Sequence, residues 1–211
     1  MKNNLFIIAQ NGWRVIGLSF VSFVIFYLLD FDLLATLAFF FTLFLLFIYR
    51  NPERQMATYD TKSILSPVDG IVKKIETLED DNNFAYKIEV ESSYSDVGLL
   101  RSPMNAKLIK ASITKGSRLS KFSPLFEKLN ESAEVVFENN EGKKIMIVHR
   151  LKQSIVPLDL DILSGVELLP ATRYGYMVNG VSYIYLESDV RISVTVGQKL
   201  LAAQTLLAYS S

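Results

Sequence analysis

The sequence contains no cysteine and only one histidine, His149, among 211 residues. The lack of cysteine excludes disulfide scaffolds, cysteine zinc sites and thiol nucleophiles. A single histidine excludes a multi-histidine metal centre, and the carboxylates show no recognisable ligand spacing, so we expect no metal site. An excess of one charge is also missing, because 22 Lys and Arg residues balance 22 Asp and Glu residues. Without basic stripes, nucleic-acid binding is not expected.

Long polar stretches are absent from the first fifty residues. Apolar runs at about 13–29 and 33–49 are separated by Asp30 and Asp32. Each run is near the lower length limit for a membrane-spanning helix, and one helix through both would bury two aspartates at about 3 kcal/mol each. We therefore predict that residues 1–50 form an N-terminal transmembrane helical hairpin. A cleavable signal peptide is not favoured, because the first apolar run does not end in the small-residue pattern of a cleavage site. A helical hairpin buried inside a globular domain is not favoured either, because polar residues are almost absent around the whole circumference of the two runs.

The charges around this hairpin predict its orientation. Lys2 and Arg14 flank one end and Arg50 and Arg54 the other, whereas the turn is acidic. Because basic flanks favour the cytoplasmic side, both ends belong there. The sequence therefore predicts an inner (cytoplasmic) membrane protein whose second domain faces the cytoplasm.

Residues 51–211 change character and predict a mainly β domain. Short β-branched runs alternate with Gly, Pro and Asn, and helical periodicity is weak apart from a turn or two near 124–129. The candidate strands are 70–76, 85–91, 108–114, 134–139, 144–151, 174–178, 181–186, 190–196 and 205–208. Segments 66–72, 164–168 and 196–202 each place a small turn before an apolar pair, which is typical of barrel-sandwich domains of the biotinyl/lipoyl type. A carrier function is not favoured, because no modifiable lysine stands in a hairpin tip.

Segment 173–186, RYGYMVNGVSYIYL, predicts a β-hairpin with a turn at Gly180. It also resembles the self-cleavage segment of phosphatidylserine decarboxylases, of the type RxGxxxFGS. Other segments resemble the same family in the same order. They are NGW at 11–13 (family EGW), YRNPER at 49–54 (FFRDPxR), ILSPVDG at 64–70 (SPaDG), Asn130-Glu131 (NER) and the C-terminal hairpin VTVGQKLLAAQTLLA. On this ordered set, the chain is identified as a member of the short bacterial and archaeal type.

The resemblance implies a chemistry that the sequence meets only in part. In the family, the chain is cut between Gly and Ser, and the Ser becomes a pyruvoyl group that serves as the electron sink for decarboxylation. An Asp and a His assist the Ser. Asp69 stands at the family's Asp position, but Val181 follows Gly180 and the serine comes one residue later, at Ser182.

The family's His falls in a segment of the type MSPxDVHVNR. Matched to residues 101–110, this segment puts Lys107 at the position of the missing His. We expect Lys107 to be an exposed strand residue and His149 to be structural. Counted back from Leu186, Ser182 keeps an even spacing, so we expect its side chain to face the same side of the strand as the family's Ser. The candidate catalytic residues are Asp69 and Ser182, and Gly180-Val181-Ser182 is the candidate cleavage turn.

These features predict a phosphatidylserine decarboxylase-like membrane protein of phosphatidylethanolamine metabolism that is unprocessed and catalytically impaired. An active pyruvoyl-dependent decarboxylase using Ser182 and a non-catalytic lipid-binding or partner subunit are the alternatives. The expected ligand is membrane phospholipid through the phosphatidylserine head group. Self-association or association with an active decarboxylase is also expected, and a pyruvoyl group is expected only if the chain is cut.

Overall fold

Two apolar helices form the first of two units in the computed structural model, which describes residues 7–54, 60, 62–81, 84–162 and 164–210. The units are Met1–Glu53 and Arg54–Ser211. After a 3-10 turn at Gln10–Gly12, α1 runs from Trp13 to Leu28 and α2 from Asp32 to Ile48. Asp30 lies in the turn between them, and Asp32 begins α2, where a carboxylate interacts favourably with the helix dipole.

The two helices bury a few side chains, among them Ile16, Ala35 and Leu45, and leave most of their large apolar side chains exposed. The hydroxyl oxygens of Ser19 and Thr42 are 2.8 Å apart and buried between the helices, the kind of contact that joins helices in lipid. Leu18 and Leu33 are 71% and 73% exposed. The stretch Gln10–Leu28 is long and apolar enough to cross a membrane, whereas α2 is shorter. These features indicate membrane association.

The second unit is mainly β with one short helix. In chain order its elements are β1 (Ser63–Leu65), β2 (Gly70–Asp81), β3 (Phe84–Glu91), β4 (Leu99–Arg101), β5 (Ala106–Thr114), α3 (Phe126–Leu129), β6 (Ser132–Glu138), β7 (Lys144–Leu151), β8 (Asp159–Leu160), β9 (Glu167–Leu168), β10 (Arg173–Tyr176), β11 (Gly180–Leu186), β12 (Val190–Ile192), β13 (Lys199–Leu200) and β14 (Leu206–Ser210). The prediction of a mainly β, barrel-type domain behind apolar helices is confirmed. The strands that the sequence did not predict, β1, β4, β8, β9 and β13, have only two or three residues, too few to show a period of two.

An eight-stranded antiparallel sheet positions the candidate site. Its order is β13-β2-β3-β11-β7-β6-β5-β9, and it curls into a half-barrel. Two three-stranded sheets, β1-β14-β12 and β4-β10-β8, complete the unit. Strand β11 is internal, because it pairs with β3 on one side and β7 on the other along its length.

The two faces of β11 contact different clusters. Ile184 and Leu186 lie in the main hydrophobic core, and Ser182 has the same parity along the strand. Val181 and Tyr183 pack with Phe126 in a smaller cluster on the opposite face. Ser182 therefore shares the core-facing side of the strand with Leu186. It follows that residues 181 and 182 project into different surroundings.

Candidate functional site

The Gly180 turn is held by a backbone contact from the neighbouring strand. The Ser92 N–H donates to the Gly180 carbonyl over 2.9 Å, and the Ser92 hydroxyl donates to the backbone carbonyl of Asp69 over 2.5 Å. Ser92 thereby links the Asp69 turn to the candidate cleavage turn. Gly180 is sterically required, since a Cβ there would lie 2.7 Å from the Arg150 carbonyl oxygen.

Val181 occupies the position directly after this turn. Its side chain is fully buried and packs in the cluster with Phe126 and Tyr183. An isopropyl group supplies no hydroxyl that could attack the Gly180 carbonyl. The structure therefore places an apolar packing residue next to a carbonyl that a backbone N–H already polarises.

Ser182 lies on the core face and hydrogen bonds to the only histidine. Its Oγ is 2.7 Å from His149 Nδ1, and His149 Nε2 is 2.7 Å from the Tyr174 hydroxyl. Ser182 and His149 are directly opposite each other in the register of β11 and β7. Ser182 and His149 are completely buried, and Tyr174 is 1% exposed. The three groups form a short polar chain inside the hydrophobic core.

The protonation of this chain follows from its burial. Desolvation lowers the pKa of His149 to about 3 and raises the pKa of Tyr174 well above its usual value, so the imidazole and the phenol are both neutral near pH 7. A neutral imidazole has one donor and one acceptor nitrogen. The phenol is the more acidic hydroxyl and the stronger donor, so on this ground we assign its proton to Nε2. In this tautomer His149 Nδ1–H donates to Ser182 Oγ, and Nδ1 has no free lone pair with which to take the serine proton.

The Asp69 carboxylate is occupied by other donors. Arg54 binds it in a bidentate manner, with Nη1–Oδ1 and Nη2–Oδ2 distances of 2.5 Å. The Ala202 N–H donates to Oδ1 over 2.8 Å. The side chains of Arg54 and Asp69 are only 8% and 4% exposed. Within the described part of the chain no hydrogen bond joins the side chains of Asp69 and Ser182, and Ser92 is the link between their two turns.

The structure moves the position of the missing family His away from Lys107. Lys107 is exposed on β5, and β6 and β7 separate β5 from β11. The segment beside Asp69 is instead 92–101, since Val97 N–H approaches Asp69 Oδ2 over 3.4 Å. That segment reads DVGLLR at 96–101, so the family pattern DVHVNR places Gly98 at the His.

Gly98 leaves no room for an imidazole. Its carbonyl accepts the Met177 N–H over 2.7 Å. A Cβ on Gly98 would lie 2.9 Å from both the Met177 carbonyl oxygen and the Tyr176 ring. The residues leading into the Gly180 turn therefore fill the space that a side chain at 98 would need. With either match of the pattern, the chain has no histidine at this position.

Asn130 and Glu131 hold a connecting segment onto the outer face of β11. Asn130 Oδ1 accepts the Leu119 N–H, and Asn130 Nδ2 donates to the carbonyls of Leu119 and Leu151 over 2.9 and 2.8 Å. The buried Glu131 carboxylate pairs with Lys115 over 2.7 Å and with Arg118 over 3.2 Å. The family-like NE pair thus has a structural role, because it fixes the segment whose Phe126 covers Val181.

Replacing Asn130 by alanine is expected to lower the free energy of unfolding by about 2–3 kcal/mol, because three hydrogen bonds are lost, two of them partly buried and one, to the Leu151 carbonyl, fully buried. Denaturant unfolding of the full chain in detergent micelles measures this change. Asn140→Ala, at an exposed turn residue, is the matched control and should change stability by less than about 0.5 kcal/mol. Equal effects of the two substitutions would contradict the structural role of Asn130.

Sequence reasoning identified the turn but missed the groups that surround it. Residues 145, 147 and 149 have the same parity in β7, as do 182, 184 and 186 in β11, which was a signal that His149 and Ser182 both face the core. Nothing in the sequence showed that they stand opposite each other, because that depends on the register between two distant strands. No group of three or more His, Asp or Glu residues that could hold a metal occurs in the part of the chain that the structure describes.

Comparison with known proteins defines the class to which this fold and turn belong. Residues 41–208 match the family model for phosphatidylserine decarboxylase, and the chain belongs to that family. It is similar to the phosphatidylserine decarboxylase proenzyme of Syntrophotalea carbinolica, with 30% identity over 99% of both chains. The proenzyme of Desulfotalea psychrophila is 29% identical over 90% of this chain and 93% of its own, and that of Geobacter metallireducens is 27% identical over 98% of each.

The family depends in general on a pyruvoyl group, and the residues of this chain do not fit one. At position 181, directly after Gly180, there is no hydroxyl from which the group could form. At position 182 the hydroxyl is fully buried among His149 and core side chains. A phospholipid amine could reach Ser182 only if part of the core opened.

Proposed function

We propose that this chain is a membrane-associated member of the phosphatidylserine decarboxylase family that remains uncut and does not decarboxylate. It acts in phospholipid metabolism as a lipid-binding or partner protein. One observation carries this proposal. The first hydroxyl after the Gly180 turn belongs to Ser182, and it is buried in the core in a hydrogen bond to His149.

The location of the possible scissile bond supports the proposal. Ser182 Oγ would have to attack the Val181 carbonyl, and that peptide lies within a strand paired on both sides. Val181 stands opposite Glu91 of β3 and Arg150 of β7, and Ser182 opposite Val90 and His149. A tetrahedral centre there would interrupt the ladder of an internal strand. The β-branched Val181 would also crowd the attack.

The proposed setting is the inner face of a bacterial-type membrane, with the β unit on the cytoplasmic side. The exposed apolar side chains of α1 and α2 and the basic residues that flank them support this placement. The proposed ligand is membrane phospholipid through its phosphatidylserine head group. The proposed protein partner is a second copy of this chain or an active decarboxylase.

An intact chain is the expected result when the full-length protein is purified from membranes and its mass is measured under denaturing conditions. A single species of 23.9 kDa supports the proposal, and vesicles containing phosphatidylserine should yield no phosphatidylethanolamine on incubation. A split into two fragments, the smaller beginning at residue 182 with a blocked amino terminus, would contradict it.

A second candidate function is an active decarboxylase that is cut at Val181–Ser182. The observation in its favour is the 2.7 Å contact between Ser182 Oγ and His149 Nδ1, since in the other tautomer, with the proton on Nε2, a neutral histidine at this distance can take a serine proton. Ser182→Ala distinguishes the candidates. If cleavage occurs, the substitution abolishes it, whereas in an uncut protein it changes only the mass of the whole chain.

A further inference from the structure

Three large apolar side chains are exposed within eight residues of the β unit. Phe122 is 96% exposed, and Leu125 and Leu129 are 47% and 48% exposed. Single exposed apolar residues are ordinary, but a grouped set marks an interaction surface. These three residues, here named the Phe122 patch, lie in the segment that covers the outer face of β11.

The segment that carries the patch is internally bonded. Ser123 N–H donates to the Ser120 carbonyl over 2.9 Å, and Phe126 N–H donates to the Ser123 carbonyl over 3.0 Å. Phe126 is buried against Val181 and Tyr183, and the Arg150 guanidinium donates to backbone carbonyls of the segment. The inward Phe126 therefore anchors the segment, while the Phe122 patch projects into solvent.

Among the described residues near the patch in the chain, the exposed charge that has no counter-ion is positive. Lys115 is 70% exposed, and Lys128 is exposed and forms no ion pair with any residue that the structure describes. The two acids of this segment are paired, although the Glu127 side chain is 57% exposed. Glu131 is buried between Lys115 and Arg118, and Glu127 pairs with Arg150 and accepts the Tyr183 hydroxyl.

We propose that the Phe122 patch docks on the surface of a bilayer that contains anionic phospholipid. Apolar side chains beside exposed lysines are the combination that inserts into the head-group layer. Only five residues, 49–53, separate the end of α2 from Arg54, where the β unit begins. The bilayer that anchors α1 and α2 is therefore the apolar phase available to the Phe122 patch. The inference rests on the proposed membrane association and is independent of whether the chain is cut.

Docking would give the segment a role in lipid recognition. Its Phe126 contacts Val181, and Val181 follows the turn that Ser92 links to Asp69. A docked patch therefore places the outer face of β11 next to phospholipid head groups. The partner of this surface is the lipid bilayer itself. Lys128 recognises the negative charge of its head groups, and the Phe122 patch recognises the apolar layer beneath them.

The absence of native cysteine allows a direct test with single spin labels. The full chain is prepared as Phe122→Cys, labelled with a nitroxide and reconstituted in vesicles of phosphatidylcholine alone or with added phosphatidylglycerol. Collision rates with oxygen and with a water-soluble nickel complex measure the immersion of the label. Val196→Cys, 61% exposed beside the edge strand β13, is the matched control in the β unit, and Leu37→Cys in α2 reports whether the hairpin is in the bilayer.

At residue 122 we expect a several-fold lower collision rate with the nickel complex in the anionic vesicles, with no such protection at residue 196. Adding Lys128→Glu should lower the ratio of docked to undocked label at residue 122 about fivefold, whereas Lys199→Glu should leave this ratio unchanged.

Equal exposure of residues 122 and 196, with residue 37 protected, would overturn the inference. Protection at 122 that disappears on dilution with lipid would also overturn it, because the occupant would then be a second copy. An unprotected residue 37 would instead overturn the membrane association on which the inference rests.

Discussion

Replacing Arg54 by alanine is expected to destabilise the β unit by about 3–5 kcal/mol, because it leaves the Asp69 carboxylate buried without its cation. The two side chains are 8% and 4% exposed, and their contact is bidentate. Loss of Arg54 also removes the hydrogen bond from Nη1 to the Ala202 carbonyl, 3.0 Å long. Denaturant unfolding of the full chain in micelles, monitored by far-ultraviolet circular dichroism, measures the change in the free energy of unfolding.

Two further variants show whether the loss of stability comes from breaking the buried Arg54–Asp69 pair or from removing a positive charge in general. Lys74→Ala removes an exposed lysine that is 60% accessible and paired with Glu76, so it should change stability much less than Arg54→Ala. The double variant Arg54→Gln with Asp69→Asn removes both buried charges and should recover a large part of the loss. If Arg54→Ala were no more destabilising than Lys74→Ala, Asp69 would not depend on Arg54 as the structure shows.

Acidification is expected to destabilise the fold through His149 by about 1.4 kcal/mol per pH unit over the window that its pKa defines. Burial lowers the pKa of His149 from 6.5 to about 3. Below pH 6.5 the unfolded chain therefore binds a proton that the folded chain refuses, and stability falls with pH. The contribution is fully present above pH 6.5 and is lost as the pH falls towards 3. Because no carboxylate has its ordinary pKa above about 5, the interval from pH 6.5 to 5 isolates the histidine.

The His149→Gln variant provides the comparison. Its unfolding free energy should be lower than that of the natural chain at pH 7 by about 1–3 kcal/mol, through repacking and altered hydrogen bonds. It should lack the additional slope between pH 6.5 and 5. Since the chain has one histidine, nuclear magnetic resonance of its imidazole gives a direct reading, and the signal should not titrate between pH 8 and 5. An imidazole that titrates near 6.5 would contradict the buried chain of His149, Ser182 and Tyr174.

The two predictions concern Asp69, which stands at the family's Asp position, and His149, the buried partner of Ser182. In this chain Asp69 and His149 have structural partners that occupy their polar atoms. Arg54 and the Ala202 N–H bind the Asp69 carboxylate, and Tyr174 and Ser182 take both nitrogens of His149. Substitutions that disturb these contacts should therefore change the free energy of unfolding. The proposed lack of self-cleavage is tested separately, by the mass of the chain.

The sequence by itself determined the family, the mainly β class with its longer strands, and the apolar helices. These features depend on local patterns: ordered motifs, alternation of apolar residues, and two apolar runs around an acidic turn. Lys107 shows where local matching fails, because a short degenerate motif can be placed at two positions. Only the contacts of Val97 and Gly98 with the Asp69 and Gly180 turns decide between those positions.

Tertiary structure alone decided what surrounds Ser182. Strands β7 and β11 are separated by about thirty residues along the chain, yet their register sets His149 opposite Ser182. A shift of one residue would turn His149 away from the core, since side chains alternate between the faces of a strand. Sequence periodicity fixes which face a residue occupies, but pairing between distant strands fixes which residues meet. The hydrogen bond that occupies the Ser182 hydroxyl in the core depends on the pairing of β7 with β11.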